Sequence, residues 1–313
     1  MIGYILRRVG TTLILVLVVT FITFLLLSTS FESVAQRLLG DSANPETTAA
    51  MMAELGLDRP VPVQYGEWLV TAVQGDFGNS IYNGLDVGTT VFQRLAVTLS
   101  LIIPALVITA LISVSLGVWA ASRGGFPDRF AQGVSLVGYI VPGLLLAIVL
   151  VLVFAVNLKW LPATGYVPIT TNVVGWARSI TLPIIVLVVA SVASLTSQVR
   201  GTMIDELRKD YVRTLRTRGV STGRIIYKHA LRNAAGPALT VLSLEFVAMF
   251  GAALIIENVF GLPGIGSFSF DAALQADIPM LLGLTVVSVL MVATVNLVTD
   301  LVNTWLNPKV KLS

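Results

Sequence analysis

The stretch Asp205–Pro237 reads DELRKDYVRTLRTRGVSTGRIIYKHALRNAAGP and is a long, basic run between two apolar segments. Its first half carries apolar side chains at helical spacing, namely Ile204, Leu207, Tyr211 and Leu215. Gly219 suits a left-handed helix C-cap because glycine has no Cβ. Ser221 is placed to cap a second helix, and Pro237 fits the first turn of the next apolar segment. The pattern predicts a bent pair of amphipathic helices just outside a bilayer.

The composition identifies the bilayer as the solvent of this chain. Of the 313 residues 55% are hydrophobic and only 12% are charged, and the mean hydropathy is +0.87. Runs long enough to span the bilayer, at roughly 20 residues each, cover residues 9–29, 95–121, 134–157, 180–199, 238–256 and 279–303. The first run exceeds the apolar core of a signal peptide. We therefore expect an all-α polytopic membrane protein with six transmembrane helices, the first of them retained.

The basic residues orient these spans. With the N-terminus in the cytoplasm, 15 of the 20 Lys and Arg residues lie inside, nine of them in the loop 200–236 and two, Lys309 and Lys311, in the tail. The positive-inside rule then predicts cytoplasmic N- and C-termini. Because orientation already accounts for most of the basic loop, the loop implies membrane lipid as a partner and no nucleic acid.

The spans divide the chain into three parts. Residues 1–93 comprise the first transmembrane helix and a long extracytoplasmic segment, residues 94–303 a five-helix core containing the loop 200–236, and residues 304–313 a cytoplasmic tail. Within the outer segment, Pro45–Leu57 and Val61–Val73 have the composition of helices. Pro142 interrupts the third span and predicts a kink.

Few residues here are suited to catalysis or to metal binding. The chain has no cysteine and one histidine, which excludes thiolate and multi-histidine metal sites, and it has no G-x-x-x-x-G-K-[ST] phosphate loop. We therefore expect no catalytic residue, no metal and no cofactor in this chain. Two intramembrane polar residues, Glu245 and Asn296, are candidates for a substrate pathway. A structural hydrogen bond to a neighbouring helix explains Glu245 equally well.

Several motifs together carry a resemblance. They are DYVRTLRTRG at 210–219, KHALRNA at 228–234 followed by Pro237, LGLDRPVPV at 55–63 with GDFG at 75–78, KWLPATG at 159–165, and ENVF at 257–260 with PGIG at 263–266. Taken in the order of the chain, these motifs resemble those of the permease subunits of ATP-binding-cassette importers of the dipeptide/oligopeptide/nickel branch. They are most similar to those of the first-type dipeptide permeases. Leu215 and Thr217 stand where that branch usually has alanine, and Glu245 where glutamine is common.

The resemblance implies a type I ABC importer permease fold, a multi-pass location in a bacterial plasma (inner) membrane and a set of partners. These are a second permease subunit in a heterodimer, two cytoplasmic ATP-binding subunits that hold the ATP and Mg, and an extracytoplasmic substrate-binding protein. The chain would then form the pathway for di- or oligopeptides or, alternatively, for nickel chelates or glutathione. The residues implied to contact the ATPase are Tyr211, Arg213, Thr214, Leu215, Arg216, Arg218 and Gly219.

The outer segment is the predicted docking site of the substrate-binding protein, because it carries aromatic residues that suit an interface, Tyr65, Trp68, Phe77 and Tyr82. A helix resting at the lipid headgroups would use the same residues. Two further functions compete with the importer: a stand-alone secondary transporter or channel, and a membrane scaffold. The lack of a detectable inverted repeat and the exposed polar helix pair argue against a self-sufficient transporter.

Overall fold

The computed structural model describes residues 2–306, so Lys309, Lys311 and most of the predicted tail 304–313 lie outside the described residues. The described part is helical apart from connecting turns and one isolated β-bridge between Asn79 and Asp86. The helices are α1 (Ile2–Ser28), α2 (Phe31–Leu39), α3 (Pro45–Glu54), α4 (Val61–Val73), α5 (Val87–Arg123), α6 (Gly125–Ile140), α7 (Gly143–Leu150), α8 (Val173–Arg208), α9 (Asp210–Thr217), α10 (Thr222–Arg224), α11 (Leu231–Val259), α12 (Ile265–Gln275) and α13 (Ile278–Leu306).

The six predicted spans are all present as helices. Among the described residues, five helices are long and apolar enough to cross a membrane, and one bent helix pair makes a sixth candidate. The five cover Leu6–Ser28, Val87–Arg123, Val173–Arg208, Thr222–Val259 and Ile278–Thr304. Each of these helices extends beyond its predicted apolar run into polar residues. It can do so because a helix satisfies its own backbone hydrogen bonds in water as well as in lipid.

The third span is bent more sharply than a kink. Helices α6 and α7 meet at 93°, with Val141 in an extended conformation between them (φ −79°, ψ 113°). The ring of Pro142 disfavours the helical conformation at the residue before it and removes one backbone donor. The helix therefore stops at Ile140 and restarts at Gly143, and a π-helical turn at Val151–Asn157 continues it.

The fifth span begins earlier than the sequence predicts. Helix α10, a π-helical turn at Ile225–Ala230 and α11 form one continuous helical segment, Thr222–Val259. Pro237 consequently lies inside α11 and not in the first turn of the span, so that prediction is wrong. A membrane helix tolerates an internal proline when neighbouring groups satisfy the carbonyl that it frees. Basic residues at 224, 228 and 232 had concealed the continuity of the helix, since only apolar runs were counted.

The packing divides the chain into two compact units. Among the described residues, the first comprises 2–97 and 263–294, and the second 98–262 and 295–306. The predicted segments 1–93 and 94–303 follow the order of the spans along the sequence and remain a prediction. Ile278 and Leu282 pack in one hydrophobic cluster with Phe24 of α1, although about 250 residues separate them in the sequence.

In the first unit the long segment after α1 is ordered against that helix. The hydroxyl of Tyr65 on α4 donates to the Leu17 carbonyl at 3.1 Å and lies 2.9 Å from the Thr20 hydroxyl. Phe24 and Phe31 make edge-to-face contacts in the same cluster. The predicted helix over Val61–Val73 is confirmed with the same bounds, and the one from Pro45 ends at Glu54.

In the second unit the antiparallel helices α6 and α8 are held at two points. At one, Asp128 pairs with Arg200, whose Nη2 donates to Asp128 Oδ2 at 2.9 Å. At the other, a Cβ added to Gly138 would lie 2.7 Å from the Val189 carbonyl oxygen. Only glycine allows the two backbones to come so close. Helix α11 packs on α8 as well, so α8 is the most extensively buried of the candidate spans.

Candidate functional site

The predicted bent helix pair begins with α9, a short helix set off from the span before it. Lys209 has an extended ψ of 150° and separates α8 from α9. At its other end, the N–H of Gly219 donates to the Arg216 carbonyl at 3.0 Å and that of Val220 to the Leu215 carbonyl at 3.1 Å. This is the Schellman pattern, in which the residue after the cap takes a left-handed conformation. Gly219 has φ +77°, so the predicted left-handed cap is confirmed.

Helix α9 exposes a basic surface. The predicted ATPase-contacting residues that are exposed are Arg213, Thr214, Arg216, Arg218 and Gly219. Tyr211 and Leu215 are half-buried, and Val212, which sequence reasoning missed, is fully buried. The apolar spacing had been counted as one helix from Ile204 to Leu215. The break at Lys209 resets that spacing and turns Val212 inward.

A buried carboxylate ties α9 to the spans on either side. Glu206, near the end of α8, is 8% exposed and forms an ion pair with Lys209. Its Oε2 accepts from the Tyr211 hydroxyl at 3.0 Å and from Asn233 Nδ2 on α11 at 3.4 Å. Asn233 Nδ2 also lies 3.3 Å from the Tyr211 hydroxyl oxygen. We call these four residues the Glu206 network.

The electrostatics of the Glu206 network follow from its geometry. The hydrogen bond to Glu206 raises the pKa of Lys209 above its ordinary value. Burial, with a smaller contribution from the bond to Glu206, raises the pKa of the Tyr211 phenol. Both side chains therefore keep their protons around neutral pH and hold the carboxylate. Glu206 stands beside Asp205 and close to Asp210 in the sequence, so nothing in the local pattern singles it out, and one of its partners, Asn233, is 27 residues away.

The two predicted pathway residues lie in different places. Glu245 on α11 lines a cavity of about 310 Å³ together with residues of α7 and α8. Asn296 on α13 is half-buried and is not among the residues that line this cavity. Of these two residues, Glu245 therefore faces a cavity large enough to hold part of a ligand.

The four aromatic residues predicted to dock a binding protein differ in exposure. Tyr65 is 9% exposed and hydrogen-bonded to α1, so its ring packs inside the first unit and is not available for direct docking. Trp68 and Phe77 are half-buried. Tyr82 donates to the Gln275 carbonyl at 2.5 Å, and burial raises its pKa. The prediction had treated all four as surface residues, because spacing alone cannot place the face of α4 that packs on α1.

These features define the chain as a polytopic helical membrane protein that carries an exposed basic helix between two spans. Residues 113–312 match the family described as binding-protein-dependent transport system inner membrane component, and residues 1–102 match the N-terminal part described for such components. The chain therefore belongs to this family. It is a multi-pass inner-membrane permease subunit, which confirms the family and the localisation predicted from the motifs.

Relatives resemble the chain over its whole length. It is 35% identical to the probable peptide ABC transporter permease protein y4tP of Sinorhizobium fredii, over 98% of this chain and 99% of that protein. It is 31% identical to the oligopeptide transport system permease protein AppB of Bacillus subtilis, over 99% of this chain and 100% of that protein. Both relatives are named as permeases, that is, as transport components and not as enzymes.

A solved structure shares the fold. A chain of the MetNI methionine ABC transporter, in inward-facing conformations, superposes with a TM-score of 0.56 at 12% sequence identity. The match covers 69% of this chain and 96% of that one. The predicted ABC importer permease fold is thereby confirmed.

Proposed function

We propose that this chain forms the translocation pathway of a peptide importer and that partner subunits hydrolyse the ATP. The observation that carries the substrate class is the full-length similarity to permeases named for peptide and oligopeptide transport. The proposed partners are a second permease subunit, two cytoplasmic ATPases with their ATP and Mg, and a substrate-binding protein on the outer side. The chain itself contributes no nucleotide site, since its sequence has no phosphate-binding loop.

The exposed face of α9 is the proposed ATPase contact. It carries a concentrated positive charge from Arg213, Arg216 and Arg218. Asp210 lies 3.6 Å from Arg213, but this ion pair is exposed to solvent and therefore contributes little to the stability of the fold. Such a face suits a groove with acidic residues at its rim. The proposed contact set keeps Thr214, Leu215 and Gly219, whereas the Tyr211 hydroxyl acts inward through the Glu206 network.

The Glu206 network is the proposed mechanical link between α9 and the spans. Because its members come from α8, α9 and α11, a displacement of α9 bears on two spans at once. Movement of the ATPases can then be transmitted to the spans as a rigid-body shift.

Glu206→Gln tests this link, because glutamine keeps the shape of the glutamate side chain and removes its charge. We expect it to lower uptake per ATP hydrolysed, while Glu32→Gln, an exposed carboxylate far along the chain, leaves that ratio unchanged.

Uptake by the assembled complex tests the function. The permease, its co-expressed partner subunits and the binding protein are reconstituted in proteoliposomes. A labelled dipeptide, a pentapeptide, a nickel chelate and glutathione are compared with and without ATP. We expect ATP-dependent uptake of peptides. Uptake without ATP supports a stand-alone transporter instead, and uptake of only the chelate or glutathione contradicts the peptide assignment.

The ATPase contact has its own test. Arg213→Glu with Arg216→Glu should abolish co-purification of the ATPase subunits, because two charges are reversed on the docking face. Arg224→Glu, an exposed basic residue of α10 outside that face, is the matched control and should leave co-purification intact. Retention of the ATPases by the double variant contradicts the proposed contact.

A further inference from the structure

The cavity that Glu245 lines sits at the middle of three spans. Its walls are the start of α7 at Gly143, the stretch Val186–Ser191 of α8 and the stretch from Glu245 to Ile256 of α11. Val186–Ser191 is the central part of the 36-residue α8. Glu245 precedes the end of α11 by fourteen residues, which is about 21 Å along a helix axis. Glu245 also falls within the apolar run 238–256, so we expect its carboxylate to lie inside the hydrocarbon core, which is about 30 Å thick.

The walls of the cavity leave Glu245 as its one ionisable group. The other lining residues are apolar apart from Ser191. Within residues 2–306, no side chain forms an ion pair or a hydrogen bond with the Glu245 carboxylate, in contrast to Glu257 on the same helix, which accepts from Thr98 at 2.6 Å. A structural hydrogen bond to a neighbouring helix, the alternative explanation of Glu245, is therefore not what the structure shows. An intramembrane carboxylate is costly to bury, and it faces a pathway or a partner charge when it is functional.

The break in the third span lies at the wall of this cavity. Irregular backbone within the hydrocarbon core is tolerated where protein buries it or where it lines a cavity. Gly143 and Leu144, the first two residues after the break, line the cavity together with residues of α8 and α11. A volume of about 310 Å³ is at the low end of ligand pockets, which span roughly 300–1,000 Å³. It can hold one end of a peptide and not a long chain.

We propose that this cavity is a subsite for an ammonium group of the translocated substrate, with Glu245 as its counter-charge. The inference rests on the proposed peptide import and names the part of the peptide that this chain binds. A peptide carries such a group at its N-terminus, and the apolar walls from Val186 and Met249 suit the adjacent side chain. A divalent metal ion fits poorly, because it requires several oxygen ligands and the cavity offers one carboxylate.

Glu245→Gln tests the subsite, because glutamine has the shape of glutamate without its charge. Uptake of a dipeptide by the reconstituted complex is compared with uptake of its des-amino analogue. In both cases the binding protein is fully loaded, and the concentration of the loaded binding protein is varied. A hydrogen bond to a charged group is worth about 1.5–3 kcal/mol, or roughly tenfold or more in affinity. We expect E245Q to lower kcat/KM for the dipeptide at least about tenfold and to leave that for the analogue unchanged.

Two further measurements separate this subsite from its alternatives. Ser243→Ala removes a buried hydroxyl of the same helix that donates to the Thr240 carbonyl. This variant should not alter the ratio of kcat/KM between the dipeptide and its des-amino analogue. The chain has no cysteine, so Ala252→Cys provides a single thiol on the cavity wall. When Glu245 is present, propylammonium should slow the reaction of this thiol with a thiol-specific reagent, whereas propanol should not.

The outcomes distinguish the subsite from the proposed function. Equal ratios in wild type and E245Q, or equal protection by propylammonium and propanol, overturn the subsite while peptide import stands. A wild-type complex that imports chelates but no peptide refutes the proposed function itself. Loss of protection by propylammonium in the E245Q background supports the assignment without any use of the binding protein.

Discussion

Gly219 provides the sharpest test of the ATPase contact. Its φ of +77° lies in the left-handed region, and a Cβ built at this position meets no atom within 4 Å. A substitution there therefore costs backbone energy alone and creates no tertiary clash. For an L-residue that cost is about 1–2 kcal/mol, and it is larger for a β-branched side chain. Since 1.4 kcal/mol is a factor of ten, Gly219→Val should depopulate the native cap of α9 by more than about tenfold.

The variants at Gly219 form a graded series. Asparagine tolerates the left-handed conformation best among the ordinary residues, alanine less and valine least. We expect ATPase co-purification and peptide uptake to fall in the order Gly, Asn, Ala, Val, while insertion into the membrane is unchanged. The assay measures the amount of ATPase bound per permease and the uptake rate of the same proteoliposomes.

Two results refute this reasoning. One is full uptake by Gly219→Val in a complex of normal composition, which means that the cap of α9 does not position a contact. The other is equal loss in the Asn and Val variants, which means that any side chain at 219 obstructs the partner. In that second case the surface around Gly219 still binds, but the backbone argument is wrong.

Three further predictions concern packing, charge and topology. Gly138→Val should lower the thermal unfolding midpoint by overpacking α6 against α8, a cost of about 1–3 kcal/mol, whereas Gly133→Ala on the same helix, where a Cβ meets nothing within 4 Å, should not. Because the pKa of Lys209 is raised, its ion pair is fully present below the ordinary lysine value of about 10.4 and is lost as the pH rises through the folded value. The difference in midpoint between wild type and Lys209→Met should hence be constant from pH 7 to 9 and shrink at higher pH. Single cysteines should react from outside at Asn83 and only after permeabilisation at Ser221, and outside labelling at Ser221 contradicts the predicted orientation.

Features that depend on neighbours in the chain were predictable from the sequence. Apolar runs located six spans, and the helix from Val61 to Val73 has the predicted bounds. Gly219 was identified as a left-handed cap because the conformation there is set by the absence of a Cβ and by bonds to residues three and five positions earlier. The family was recognisable for the same reason, since short motifs in a fixed order do not require knowledge of their contacts.

The tertiary structure decided which side of each helix is buried and which polar groups meet. Tyr65 was placed on a surface, yet its hydroxyl reaches Leu17 across 48 positions of sequence. Glu206 was not singled out at all, because its partner Asn233 is brought to it only by the packing of α11 against α8. The cavity at Glu245 likewise combines residues of α7, α8 and α11, the first of which follows the 93° bend after α6. A proline makes such a bend possible, but only packing against two other spans determines how far the helix turns.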